Sequence, residues 1–118
     1  MILVDTSVWV QHLHRGTARL RSLLDEEQVF CHPFVMGELA CGTLRNRQEV
    51  LSLLGTLPQA RVAEHEEVLH LLERRHLHGR GLGWVDAHLL ASALLTGCTL
   101  WTFDQPLARA AAGLDILE

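Results

Sequence analysis

The sequence has no lysine, few cysteines and no long apolar run, and each shortage excludes something. All ten basic side chains are arginine, against fourteen acidic ones, for a formal charge of −4. A chain of this balance lacks the broadly basic surface of most nucleic-acid binders. Contact with a polyanion would rest on a local arginine rim, for which Arg15, Arg19, Arg21, Arg45, Arg47, Arg74, Arg75 and Arg80 are candidates. Taken singly, most of these read as solvated helix-face charges. The three cysteines, Cys31, Cys41 and Cys98, are an odd set without CxxC spacing. They exclude a disulfide framework and read as three small buried hydrophobes. The longest apolar stretch, near Leu89 to Leu95, is too short to cross a bilayer. The opening Met1-Ile2-Leu3-Val4-Asp5 has no basic n-region, so no signal peptide and a cytoplasmic location are expected. No repeat, linker or low-complexity tract divides the chain, which predicts one domain over residues 1–118.

What is present suits a soluble globular core: 48% hydrophobic and 20% charged residues. Ile2-Leu3-Val4 is a short buried-type strand that stops at Asp5. Thr6 or Ser7 can cap a helix running to about His14. Gly16 interrupts, and Thr17 opens a second helix with Leu20, Leu23 and Leu24 at helical spacing. Val29-Phe30-Cys31 reads as a strand. Pro33 suits the first turn of a helix that carries Glu38 and extends to about Leu44. Asn46 can cap a further helix with Val50, Leu53, Leu54 and Leu57 inward, ended by Pro58. Arg61-Val62-Ala63 is a candidate third strand, and Glu64 to His78 a helix with Val68, Leu71 and Leu72 inward. After a loop with Gly79, Gly81 and Gly83 comes an apolar helix, Trp84 to Thr96, closed by Gly97. Cys98 to Phe103 is a strand, Pro106 starts a short helix, and Asp115-Ile116-Leu117 is a candidate edge strand. Short apolar strands alternating with helices indicate an α/β fold around a mainly parallel sheet of about five strands.

Such sheets gather ligands at the carboxyl ends of their strands. Asp5 and Asp104 each follow a strand. Asp86 opens the apolar helix, and Leu89, Leu90 and Ala93 share its face. Capping alone would explain Asp104, and helix-dipole stabilisation would explain Asp86. An inward carboxylate, however, needs a partner, because burying an unpaired charge is costly. Glu38 sits in the equally apolar Phe34-Val35-Met36-Gly37-Glu38-Leu39-Ala40-Cys41. Several carboxylates at one sheet edge suit hard cations such as Mg²⁺ or Mn²⁺. One or two such ions can orient a water and stabilise in-line attack on a phosphodiester.

The histidines do not compete with this reading. His12/His14 and His76/His78 are two apart, which on a helix points the rings away from each other. His65 and His70 are one residue too far apart for HExxH. Gly79-x-Gly-x-Gly83 lacks the preceding strand of a dinucleotide loop.

The motifs Val4-Asp5-Thr6-Ser7-Val8-Trp9, Glu38 with Gly42, Gly83-Trp84-Val85-Asp86-Ala87 leading into Leu90-Ala91-Ser92-Ala93-Leu94, and Leu100-Trp101-Thr102-Phe103-Asp104 resemble those of PIN-domain proteins. More narrowly they resemble the VapC toxins of bacterial and archaeal toxin–antitoxin pairs. The resemblance covers essentially the whole chain. It implies a three-layer α/β/α fold, metal-dependent endoribonuclease activity on RNA and inhibition by a small antitoxin. It also implies a homodimer. By the same matching, Asp5, Glu38, Asp86 and Asp104 form an acidic quartet. Asp5 and Asp86 would be direct Mg²⁺ or Mn²⁺ ligands, Glu38 and Asp104 would act through water, and Thr6 and Thr102 would support them. The chain departs from the pattern at Phe103, where a polar or basic residue is common.

Three alternatives stay open at this level. A haloacid-dehalogenase-like phosphotransferase would use Asp5 as nucleophile with a second Asp two residues on, where Ser7 stands. A PIN-fold RNA-processing nuclease outside a toxin pair, or a non-catalytic domain of the same fold, would share the architecture.

Overall fold

The computed structural model describes residues 1–118. Three short parallel strands, β1 (Ile2–Val4), β2 (Val29–Phe30) and β3 (Thr99–Trp101), form a sheet in the order β2-β1-β3. Ile2 pairs with Val29 on one side and Thr99 on the other, and Val4 pairs with Trp101. All of β1 is buried, as expected of a central strand covered on both faces. Seven helices surround it: α1 (Thr6–Arg15), α2 (Ala18–Asp25), α3 (Pro33–Cys41), α4 (Arg47–Gly55), α5 (His65–Arg74), α6 (Trp84–Thr96) and α7 (Gln105–Gly113). A core cluster of 24 buried residues joins strands and helices, with Leu3, Leu20, Leu89, Leu90, Leu100 and Leu107 fully enclosed.

The expected five strands reduce to three, and the bonding at each edge explains why. Cys31 bridges to Gln59 through Cys31 N–H to Pro58 O and Ala60 N–H to Cys31 O, both 2.8 Å. Pro33 starts α3 two residues after Cys31, so the edge offers no further partner and Arg61-Val62-Ala63 does not become a strand; Arg61 N–H donates to the Thr96 side chain instead. At the other edge, Leu100 bridges to Leu117 alone. Ile116 N–H is still occupied by Ala111 O at the end of α7, and Asp115 is left-handed with φ +59°. Pairing has no room to start earlier.

Other expectations shift at helix ends. The helix carrying Glu38 stops at Cys41, not Leu44, and Cys41 is exposed while Cys31 and Cys98 are buried. The helix from Glu64 ends at Arg74. Asn46 stands before α4 in a left-handed conformation without capping through its side chain, and Leu53 faces outward. The α6 boundaries and the left-handed Gly97 that ends it match the sequence reading. His32 caps α3: its Nδ1 accepts from Phe34 N–H at 2.9 Å. Its Nε2 lies 2.9 Å from Ser92 Oγ of α6. With Nδ1 accepting, Nε2 carries the proton and donates to the hydroxyl. Burial, and then the nearby His88, lower the His32 pKa to about 4, so the ring is neutral near pH 7.

Two glycines give opposite expectations. Gly97 has φ +76°, so Gly97→Ala forces a left-handed alanine and costs about 1–2 kcal/mol. Gly37 lies within α3 with open space where a Cβ would stand, so Gly37→Ala gains about 0.5–1 kcal/mol. Urea unfolding midpoints of the two variants should move in opposite directions.

Candidate active site

The chain leaves β1 toward β2 on one side, while β3 lies on the other, so the sheet changes direction between β1 and β3. Crevices at the carboxyl ends of such strands are where open α/β sheets bind ligands. Asp5 follows β1 there and is 6% exposed. Asp5 N–H continues the ladder by donating to Trp101 O at 2.9 Å. Asp5 occupies the N-cap position of α1 but its side chain does not cap. Instead Asp5 Oδ2 accepts from Ser7 Oγ and from Thr102 Oγ1, each at 2.7 Å.

The two hydroxyls extend the arrangement. Ser7 Oγ accepts from Phe103 N–H, and Thr102 Oγ1 accepts from Asp104 N–H, both at 3.0 Å. Asp104 is exposed, and its Oδ2 caps α7 by accepting from Leu107 N–H at 3.2 Å. Asp86 is half-buried in the first turn of α6, and its Oδ2 accepts from Gly83 N–H at 2.9 Å. Glu38 is exposed, contrary to the inward position its apolar neighbours suggested. Glu38, Gly37 and Cys41 form the solvent side of α3, and Glu38 Oε1 accepts from Thr6 Oγ1 at 2.6 Å. Each of the four acids thus has one oxygen held by the chain. The other oxygens, Asp5 Oδ1, Glu38 Oε2, Asp86 Oδ1 and Asp104 Oδ1, accept no hydrogen bond from the protein.

Electrostatics ties the four together. Burial pushes the Asp86 carboxyl up, the Gly83 N–H opposes this, and the charges of Asp5, Asp104 and Glu38 push it further up. No basic side chain offsets them, since the one ion pair, Arg19–Glu118, involves none of the four. No three His, Cys, Asp or Glu side chains stand close enough together to hold a metal ion between them. The cluster is an open set of carboxylate oxygens. Mg²⁺ characteristically keeps several waters and takes only one or two carboxylates, so this donor chemistry fits it. His88, two residues from Asp86, turns away to pack edge-on against Phe34 and Trp84, at 4.6 and 4.9 Å between ring centres.

The chain matches the PIN domain family over residues 2–113. The chain belongs to the PIN-domain family. It is also 54% identical over 113 residues to proteins named Ribonuclease VapC32 from two Mycobacterium tuberculosis strains, CDC 1551 / Oshkosh and ATCC 25618 / H37Rv. These alignments cover 95% of this chain and 91% of each relative. Within this PIN chain, the residue that sequence reasoning missed is Ser7, read there only as a helix cap. Its signal was present as two hydroxyl residues directly after a strand-ending Asp.

The raised Asp86 pKa has a stability consequence. The folded chain binds the Asp86 proton more tightly than the unfolded one, so stability is lost as pH rises from about 3.8 through the folded value. Asp86→Asn keeps an acceptor for Gly83 N–H and removes the repulsion. In EDTA it should melt above wild type at pH 7, with the gap closing near pH 4. Equal gaps at both pH values would contradict the assignment.

Proposed function

We propose that this chain is a Mg²⁺- or Mn²⁺-dependent endoribonuclease, the toxin of a VapBC-type pair, acting as one domain over residues 1–118. The observation that carries this reading is the shared carboxylate cluster, each acid with one oxygen tethered and one free. The names of the 54%-identical relatives support the same activity. Asp5 and Asp86 are the direct metal ligands in this reading, and Glu38 and Asp104 act through water. When bound, a divalent cation supplies a water of lowered pKa and offsets charge on the phosphate under attack. The chain's own part is positioning. Ser7 and Thr102 hold Asp5 Oδ2, which leaves Oδ1 free to take a ligand, and Thr6 restrains Glu38 in the same way. Glu38 Oε2 and Asp104 Oδ1, both on exposed side chains, can accept hydrogen bonds from water at the site. No helix is long and apolar enough to cross a membrane. The reading places the protein in the cytoplasm as a homodimer, with an RNA substrate and a small cognate antitoxin as partners. The three-layer α/β/α arrangement belongs to the same reading.

Purified protein should cleave RNA with Mg²⁺ or Mn²⁺ and stop in excess EDTA. Loss of even an outer-shell partner of a metal ligand costs about 10–100-fold, so Thr102→Val should fall in that range. Asp5→Asn and Asp86→Asn should lose on the order of 100-fold or more, with unchanged circular dichroism. Cleavage that persists in EDTA would sink the metal assignment. In cells, expression should arrest growth, and co-expression of the small protein encoded beside it should relieve the arrest. Equal arrest by wild type and Asp5→Asn would remove nuclease action as the cause.

A further inference from the structure

Of the six Phe and Trp rings, two are well exposed: Trp84 at 40% and Phe103 at 45%. Trp84 lies between His65 and His88, at 5.0 and 4.9 Å. Phe103 has one aromatic neighbour, Trp101, met edge-on at 5.8 Å and 85°. Its backbone is fixed on both sides, since Phe103 N–H is held by Ser7 and Asp104 N–H by Thr102. An apolar ring kept in water forgoes the stabilisation that burial would give. Here the ring sits beside Asp104 on a backbone held by the same hydroxyls that hold Asp5.

A second feature borders the same acids. Arg80 lies between Gly79 (φ +71°) and Gly81 (φ +80°), two left-handed positions that define its loop. A Cβ on Gly81 would stand 3.4 Å from Pro106, near the start of α7. Two residues on, Gly83 N–H is bound by Asp86. The loop is thereby pinned between the helix starts that carry Asp86 and Asp104. Arg80 is exposed and takes no part in the structure's one ion pair.

We infer that Phe103 and Arg80 form a nucleotide subsite beside Asp104, in which the ring stacks an unpaired base and the guanidinium contacts a phosphate of the same strand. This rests on the nuclease reading above. It answers a difficulty of that reading: a chain of charge −4 with four clustered acids repels RNA. Base stacking on an aromatic ring is indifferent to charge and tolerant of sequence. A guanidinium at the rim supplies local attraction, and its bidentate geometry matches phosphate.

The test compares wild type, Phe103→Leu, Phe103→Tyr and Arg80→Gln. Steady-state cleavage of a single-stranded RNA is measured with Mg²⁺, and binding of the same labelled RNA is measured in EDTA over a salt series. Phe103→Leu should raise KM and Kd about tenfold, with the salt slope unchanged. Its kcat should stay within about twofold, and Phe103→Tyr should restore wild-type binding. Arg80→Gln should weaken binding and flatten the slope of log Kd against log salt by about 0.7. The subsite is overturned if Phe103→Leu binds like wild type, if Phe103→Tyr is as weak as Phe103→Leu, or if Arg80→Gln leaves the slope unchanged. Wild type that binds RNA without cleaving it removes the nuclease reading but leaves the comparison of Kd values in force. Wild type that neither binds RNA in EDTA nor cleaves it with Mg²⁺ overturns both, and wild type that cleaves with Mg²⁺ but binds no RNA in EDTA overturns the subsite alone.

Discussion

Asp5 Oδ2 receives two hydroxyl hydrogen bonds, one from α1 and one from the segment after β3. Much of the site depends on this one oxygen. A carboxylate 6% exposed is tolerable only when its charge is met by donors or a cation. Ser7 and Thr102 meet it, and each then uses its own oxygen as an acceptor for the backbone that follows β3. The position of Asp104 relative to Asp5 is therefore set by a hydrogen-bonded relay and not by loop packing. Such relays strengthen one another in a low-dielectric setting, and they fail together when a member is lost.

The remaining acids follow the same economy. A helix N-terminus satisfies one oxygen of Asp86 or Asp104, and a hydroxyl satisfies one of Glu38. Capping and ligand binding are thus not rival explanations for these residues, because a carboxylate has two oxygens and the chain uses one. What the fold does not supply is a counter-charge. Four like charges in one neighbourhood oppose folding, and local rules are broken in this way where a site is built for something outside the chain.

Legibility in the sequence followed the range of the interactions involved. β1, the limits of α6, Gly97 as its stop and Pro33 in the first turn of α3 were all readable, since each signal lies within a few residues of its effect. The half-buried place of Asp86 was readable from Leu89, Leu90 and Ala93 on the same face. Sheet edges were not, because each outer pairing depends on where a neighbouring segment turns into or out of a helix, as at Pro33 and after α7. The exposed place of Glu38 was not readable, because its helix has almost no polar contrast to mark a solvent side. The role of Ser7 became visible only once β3 returned Phe103 to it across 96 residues.

The tie between His32 and Ser92 joins the start of α3 to the middle of α6, and those helices carry Glu38 and Asp86. Charge drives the two acids apart, yet the link that holds their helices together is uncharged near neutral pH. Dissolved ions weaken repulsion between exposed carboxylates over distances beyond about 8–10 Å, but they leave a buried neutral hydrogen bond almost untouched. The clamp and the force it resists therefore respond differently to ionic strength. In a saltier medium the repulsion between the acids weakens, while the bond that ties their helices together is left as it was.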